Sequence, residues 1–395
     1  MAATQFIRDG SHTNLVLQKW KQRMFKHALV HNSLKSFMGP SDENVIQVDK
    51  DFTKAKGDKM TFALRALDNS DGQGDDGIYE GNESAMVFYD NSVQIHERGH
   101  SIKLNGKMTE QRTIIKLRPQ GKNTLGEWYS RVLANDIVSA LSNLPTMKLA
   151  GVVTGAVASG SSGSTSPVTV NQTAIASGSS KRKFFGGYSG TTLTSVADDG
   201  LITSATTHRF GTGVISHVKR MAMTHVEPVA SAGTVYSPIR PIMVDGKKMF
   251  LMLISRWQAK DLRNETAWLQ AQREANIRGN KNPIFSGAMG IWDNVIIHES
   301  DYIHTRYGEN GVTVSEYFDT TGDACASGIY VARGLFLGAQ AALVAFGQLP
   351  SWVEKIHDYK TKYGIHTDVI YGVKKSIFNS VEFGCITVDT AISPT

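Results

Sequence analysis

The sequence predicts an α+β fold built in several parts, on three observations. Two strand-like arms with a polar tip fill residues 45–104. One well-marked amphipathic helix follows near 124–144. The second half alternates hairpins, buried-type strands and short helices.

The arms come first. Residues 45–52 are strand-like, Gly57-Asp58 turns the chain, and 59–67 place Met60, Phe62, Leu64 and Ala66 on one face. The tip, Asp68-Asn69-Ser70-Asp71-Gly72-Gln73-Gly74-Asp75-Asp76-Gly77, holds four Asp and three Gly and so favours turns and positive φ. Strand character returns at 85–89 and 92–104. An isolated hairpin is marginal in water. The arm is therefore expected to lie on something else, and a neighbouring copy of the same chain is favoured.

Residues 14–38 read as a helix capped by Asn14 and ended by Gly39-Pro40, with Leu17, Trp20, Met24, Leu29, Leu34 and Phe37 as its apolar positions. Its other face carries Lys19, Lys21, Arg23, Lys26 and Lys35, which fits a solvated face or a basic arm turned to a polyanion. In the second helix, Thr124-Leu125-Gly126-Glu127 has the pattern of a capping box and Pro145 a stop. Leu125, Trp128, Val132, Leu133, Ile137, Ala140, Leu141 and Leu144 form its stripe. Just upstream, Lys107, Arg112, Lys116, Arg118 and Lys122 face one acid, Glu110.

From 149 to 180 the chain is rich in Gly, Ser, Thr, Ala and Val and carries no charge. This reads as a surface insertion, with 155–180 on an exposed face. Lys181-Arg182-Lys183-Phe184-Phe185 then reads as a loop anchor sooner than a nucleic-acid stacking patch. Further on, Asp245-Gly246 between 241–244 and 248–254 is a hairpin signal. A helix is expected over 261–277, closed by Gly279, with a turn at Asn282-Pro283. Buried-type strands are expected at 295–298 and 381–388. The uncharged run 335–347 is shorter than the roughly 20 residues a membrane span needs, so a tightly packed core helix is favoured over a span.

Composition excludes several classes. The 395 residues are 41% hydrophobic and 20% charged, ordinary for a globular chain with a substantial core. The net charge of +6 permits a nucleic-acid partner without requiring one. The two cysteines, Cys325 and Cys385, sit among small or apolar residues, as buried free thiols do. The opening residues 1–9 lack the apolar core of a secretory signal. His96-Glu97-Arg98-Gly99-His100 matches the zinc-hydrolase pattern H-E-x-x-H, but it alternates like a strand, and residues four apart on a strand lie about 13 Å apart. Coincidence is favoured, and the acidic tip does not follow the EF-hand spacing. No catalytic residue, metal site or cofactor is expected.

Several segments, in order, carry a resemblance. These are 56–62 (Lys-Gly-Asp-Lys-Met-Thr-Phe), Glu80-Gly81-Asn82-Glu83, and Asn105-Gly106-Lys107-Met108-Thr109-Glu110-Gln111-Arg112. With them go Asp261-Leu262-Arg263, the stretch 278–290, Gly338-Ala339-Gln340-Ala341-Ala342, Phe383-Gly384 and Asp389-Thr390. Together they resemble the major capsid protein family of podovirus-type tailed bacteriophages; segment 149–210 matches poorly and looks like a variable insertion.

The resemblance implies the tailed-phage major capsid protein fold. Its parts would be an N-terminal arm (1–44), an extended loop (45–106), a peripheral domain with a spine helix (107–149), an axial domain holding the insertion (150–330) and a return to the peripheral domain (331–395). It implies a structural protein of the virion capsid, assembled in the host cytoplasm. The partners would be other copies in hexamers and pentamers, packaged double-stranded DNA, and scaffolding, portal and cement or decoration proteins, with no membrane. A nanocompartment shell of the same fold is the nearest alternative, and a zinc hydrolase using His96, Glu97 and His100 the distant one. For contacts between copies, the tip acids Asp68, Asp71, Asp75, Asp76, Glu80 and Glu83 are expected to meet the basic segment Lys107, Arg112, Lys116, Arg118 and Lys122. Lys19, Lys21, Arg23 and Lys26 are the residues expected to face DNA.

Overall fold

In the computed structural model the described residues are 34–50, 57–65, 74–75, 77–78, 80, 83, 88–104, 108, 111–112, 117–142, 170–171, 182–189, 192–196, 201–202, 206–224, 238–244, 246–274, 289–303, 330–357, 362–378 and 381–392. The first strands are β1 (Met38–Gly39), β2 (Ile46–Asp49), β3 (Lys59–Arg65), β4 (Phe88–Gln94) and β5 (His96–Lys103). Helix α1 (Leu117–Ser142) precedes β6 (Val170–Asn171), β7 (Lys183–Ser189) and β8 (Thr192–Val196). Then come α2 (Thr212–Met223), β9 (Ile242–Val244), β10 (Lys247–Ile254), α3 (Arg256–Asn264), α4 (Thr266–Glu274), β11 (Gly290–Trp292) and β12 (Val295–Glu299). The chain closes through β13 (Tyr330–Leu337), β14 (Ala342–Gln348), β15 (Val353–His357), β16 (Lys362–Lys375), β17 (Ile377–Phe378), β18 (Val381–Glu382) and β19 (Cys385–Ile392).

Two sheets organise these elements. A seven-stranded sheet runs β1-β2-β14-β16-β15, with β5 and β6 also paired to β16. An eight-stranded sheet runs β11-β12-β10-β13-β19-β7-β8, with β9 on β10. Helix α1 lies between them: Leu133, Ile137, Val138 and Leu141 share one core with Val344, Val369 and Val373 of the first sheet and Leu251, Leu253 and Leu335 of the second. The opposite face of the second sheet, including Phe250, Met252, Ile254 and Phe336, packs on Val214, Ile215 and Val218 of α2 and Leu262 of α3. Both of its faces are covered, so its strands are apolar at successive positions and not only at alternate ones.

The hairpin β3–β4 covers the remaining face of the first sheet. Met60, Phe62, Leu64 and Val93 are buried against Leu343 and Ala345 of β14. Gly372 leaves room for this approach, since a Cβ there would stand 2.0 Å from the Gln94 carbonyl oxygen. The base of the loop therefore lies on its own subunit's sheet, which corrects the expectation that the arms need a neighbouring copy to cover them. Strand 92–104 also breaks, at Ile95: β4 belongs to the hairpin and β5 to the seven-stranded sheet.

Other expectations change for physical reasons. Run 335–347 is neither a span nor a core helix but parts of two strands, β13 and β14, buried on both faces. Helix α1 begins at Leu117, seven residues before Thr124. Pro119 fits this early first turn, where its missing N–H is not needed. Thr124 is an interior residue whose Oγ1 donates to the Gln120 carbonyl at 3.0 Å. The helix expected over 261–277 is two, α3 and α4, and its cap was missed: Ser255 and Gln258 form a complete capping box. Glu265 separates the two and accepts from Thr212 N (2.7 Å) and Thr212 Oγ1 (2.6 Å), capping α2.

Helix 14–38 lies mostly outside the described residues; at its end Lys35–Phe37 is a 3-10 turn and Met38–Gly39 a strand. Within the stretch expected to be exposed, Val170 is buried in the main core and β6 pairs with β16. Arg182, Phe184 and Phe185 are buried on or beside β7, not on a loop. The hairpin at Asp245-Gly246 is present, with Lys247 paired to Val244 and Gly246 at φ 74°. The strand at 295–298 is β12, and 381–388 divides into β18 and β19 at Gly384.

Asp261 on α3 is buried, and its Oδ2 accepts no hydrogen bond among the described residues. Burial pushes its carboxyl up to about 6 against the pull of Arg209 and Lys260. The unfolded value is lower, about 3.9. The folded chain thus holds the proton between the two values, and stability falls as pH rises from about 4 through 6. Asp261→Asn is expected to raise the Tm at pH 7.5 by about 1 °C per kcal/mol recovered, with the gain vanishing near pH 4 in thermal scans.

Candidate inter-subunit surface

The loop tip carries its charge outward. Gly77 N donates to the Gly74 carbonyl at 3.0 Å, closing a turn, and Asp75, Glu80 and Glu83 are exposed. Ile78, in the middle of them, is 72% exposed. Asp68, Asp71 and Asp76 lie outside the described residues. On the basic segment, Met108, Gln111 and Arg112 are helical and exposed, and Met108 is 62% exposed. Arg118 stands in the first turn of α1 with its side chain outside the described residues, Lys122 is half-buried on α1, and Lys107 and Lys116 lie outside. Lys19, Lys21, Arg23 and Lys26 also lie outside.

What positions β5, at the foot of the loop, is a buried polar network that sequence reasoning missed. Asp136 on α1 is fully buried, and its Oδ2 accepts from Arg98 of β5 and from the Tyr371 hydroxyl of β16, each at 2.5 Å. Burial alone lowers the Arg98 pKa, but the Asp136 carboxylate and Tyr371 outweigh it, so the guanidinium stays charged. Burial, then Asp136, drives the Tyr371 phenol well above its usual value, so it remains a donor. Tyr129 packs edge-on to Tyr371 at 6.4 Å.

Two further buried pairs fasten the sheets. Arg333 of β13 stands directly opposite Asp389 of β19 and grips it through Nε (2.9 Å) and Nη2 (2.7 Å). Its Nη1 donates to the Ser142 carbonyl at 3.1 Å, placing a cation at the C-terminus of α1. Lys375 at the end of β16 meets Glu382 of β18 at 3.2 Å. Burial lowers the Lys375 pKa against the pull of Glu382. Cys385 nearby is a buried free thiol pushed by burial up to about 12, out of reach of thiolate chemistry at neutral pH.

The H-E-x-x-H residues lie on strand β5, paired along its length with β16. Arg98, in the middle of the pattern, points to Asp136, and His100 packs on Trp128 with ring centroids 5.0 Å apart. His96 and His100 are thus about 13 Å apart along one strand face, too far to share an ion. Among the described residues, no group of three or more His, Cys, Asp or Glu is placed to hold a metal. No helix among them is long and apolar enough to cross a membrane.

The comparisons agree with this architecture. A family of phage capsid proteins matches residues 9–394. The major capsid protein of Pseudomonas phage KPP25 is 25% identical, over 97% of this chain and 98% of that protein. The capsid of Ralstonia phage GP4 superposes with a TM-score of 0.68 at 25% identity, covering 92% of each chain. The capsid of cyanophage Pam1 gives 0.64 at 21% identity over 93% of this chain and 94% of that one. The fold is that of tailed-phage capsid proteins, with two sheets around one buried helix and a loop laid over one sheet. The chain belongs to the phage capsid protein family and is a structural subunit of a virion shell.

Arg98→Ala would leave the Asp136 carboxylate buried without its cation. The expected loss in urea unfolding is about 3–5 kcal/mol, the usual cost of stranding one member of a buried pair. His96→Ala, on the same strand, is expected to stay within about 1 kcal/mol of wild type.

Proposed function

We propose that the chain self-assembles through hexamers and pentamers into an icosahedral phage shell that encloses double-stranded DNA, built in the host cytoplasm. The family match over residues 9–394 carries this reading. In this scheme residues 107–149, with α1 as the spine helix, and residues 331–395 form the peripheral part, and residues 150–330 the axial part. The hairpin β3–β4 is the extended loop, and residues 1–44 form an arm. Lys19, Lys21, Arg23 and Lys26 on that arm face packaged DNA, which would add salt dependence to binding. Scaffolding, portal and cement proteins would use other surfaces.

The contact between copies runs from the acidic tip to the basic segment of the next subunit. From Asp68 to Glu83 the loop carries six acids and no Lys or Arg. Crowded like charge is relieved when opposite charge is near. Among the described residues, the two most exposed large apolar side chains are Ile78 and Met108, one in each oppositely charged segment. An apolar contact ringed by charge has the anatomy of an interface hot spot. Tip-to-spine contact is heterologous and closes around a ring. One exposed ion pair contributes only ~0–1 kcal/mol, so the effect comes from repetition around the shell.

Charge reversal at Asp75 and Asp76, both to Lys, is expected to cut the yield of closed particles in electron micrographs by about tenfold or more. Circular dichroism and Tm of the unassembled subunit should stay at wild-type values. An ordinary particle yield would remove the tip contact from the scheme, whereas wild-type protein that never forms shells would remove the scheme itself.

A further inference from the structure

Gln340 lies in the buried turn between β13 and β14, where the chain passes from one sheet to the other. Its φ is 53°, in the left-handed region that side-chain-bearing residues rarely adopt. Its N–H donates to the Asn44 carbonyl at 2.8 Å, and its carbonyl accepts from Ser376 Oγ at 2.5 Å. Its Nε2 donates both to Gln47 Oε1 at 2.9 Å and to the Ala63 carbonyl at 3.2 Å. The Ala63 carbonyl can only accept, so it must face the nitrogen of Gln340, and this fixes the amide orientation. The Oε1 of Gln340 is then buried without a hydrogen bond among the described residues.

One carboxamide therefore joins β2, which leads in from the N-terminal segment, to β3, the first strand of the loop hairpin. Among the described pairings, β2 bonds to β1 and β14 and β3 only to β4, so no ladder connects these two strands. A strained backbone and an unpartnered buried oxygen persist only where their surroundings over-determine them, and such positions cluster at functional and switching sites. We propose that Gln340 is a positioning residue that couples the N-terminal segment 41–49 to the loop hairpin, so that displacement of β2 is felt at Ala63. The coupling belongs to the single subunit and stands apart from how copies pack.

Hydrogen exchange followed by mass spectrometry on the full-length unassembled chain tests it. Gln47→Ala removes only the far end of the bridge. It is expected to speed exchange of the 59–65 and 88–94 amides about five- to tenfold, the scale of one buried hydrogen bond, while peptides of β10 and β13 keep wild-type rates. Gln340→Met keeps the length and burial without the amide and should speed the same hairpin amides. The double variant should add nothing beyond Gln340→Met, as expected of two residues on one path. Unchanged hairpin exchange in Gln47→Ala would overturn the proposal. So would loosening spread evenly over the whole chain, or independent effects that simply add. If Gln340→Met does not fold, Gln47→Ala decides alone.

Discussion

The placement of α1 depends on how its buried charges are met. From Val132 to Ser142 every residue of the helix is buried, so it has no solvent face on which to carry Asp136. A carboxylate in that position must find a cation and donors or lose its charge. Arg98 and Tyr371 supply both, and they come from adjacent strands of the seven-stranded sheet. The register of β5 against β16 is thereby tied to the rotation of α1 about its axis. A one-residue slip in β5 would turn Arg98 to the opposite face of the sheet and take that cation away from Asp136.

The other end of the helix is held by a different sheet. Arg333 divides its donors between Asp389 across the ladder and the last carbonyl of α1. The two sheets are thus joined through the helix by directional polar bonds as well as by the shared apolar core. Apolar packing is non-directional and tolerates sliding. Bidentate and charge-assisted bonds fix position. A shell subunit repeated many times needs its parts at reproducible angles, and these ties supply that reproducibility.

Much of this was legible in the sequence, and the exceptions share a cause. The Asp245-Gly246 hairpin and the acidic tip are local signals, set by turn chemistry within a few residues. The α1 stripe was equally plain, because Leu133, Ile137, Ala140 and Leu141 keep helical spacing around Asn135, Asp136 and Ser139, although those polar residues are buried too. Run 335–347 misled because strands covered on both faces lose their alternation, and Gly334, Gly338, Ala342 and Ala345 mimic a small-residue helix face. Arg333 stands two residues before that uncharged run. Its partner Asp389 is 56 residues away, and nothing local marks the two as a pair. Arg98 was visible only inside a false zinc pattern. The two segments offered as a contact surface were found by charge, which composition displays. Their apolar members, Ile78 and Met108, were passed over because a single apolar residue in a polar segment has no signature until its exposure is seen.

The hairpin and the body are held with unequal strength, and this inequality suits a subunit that must both keep a shape and fit against neighbours. The body contains α1, two sheets and three buried ion pairs, each strand bonded on one or both sides. The hairpin rests on Leu343 and Ala345 through a small cluster. A few side chain-to-backbone bonds add to this, among them Asn91 Nδ2 to the Lys375 carbonyl at 3.3 Å and Lys374 Nζ to the Ser92 carbonyl at 2.9 Å. Few apolar contacts and few bonds place an element at the low end of local stability. Opening the hairpin costs the body little, because Ile95 separates its last strand from β5 and the Arg98–Asp136 tie lies on the body side of that break. The loop can therefore adjust at its tip while the register of β5, and with it the setting of α1, stays fixed.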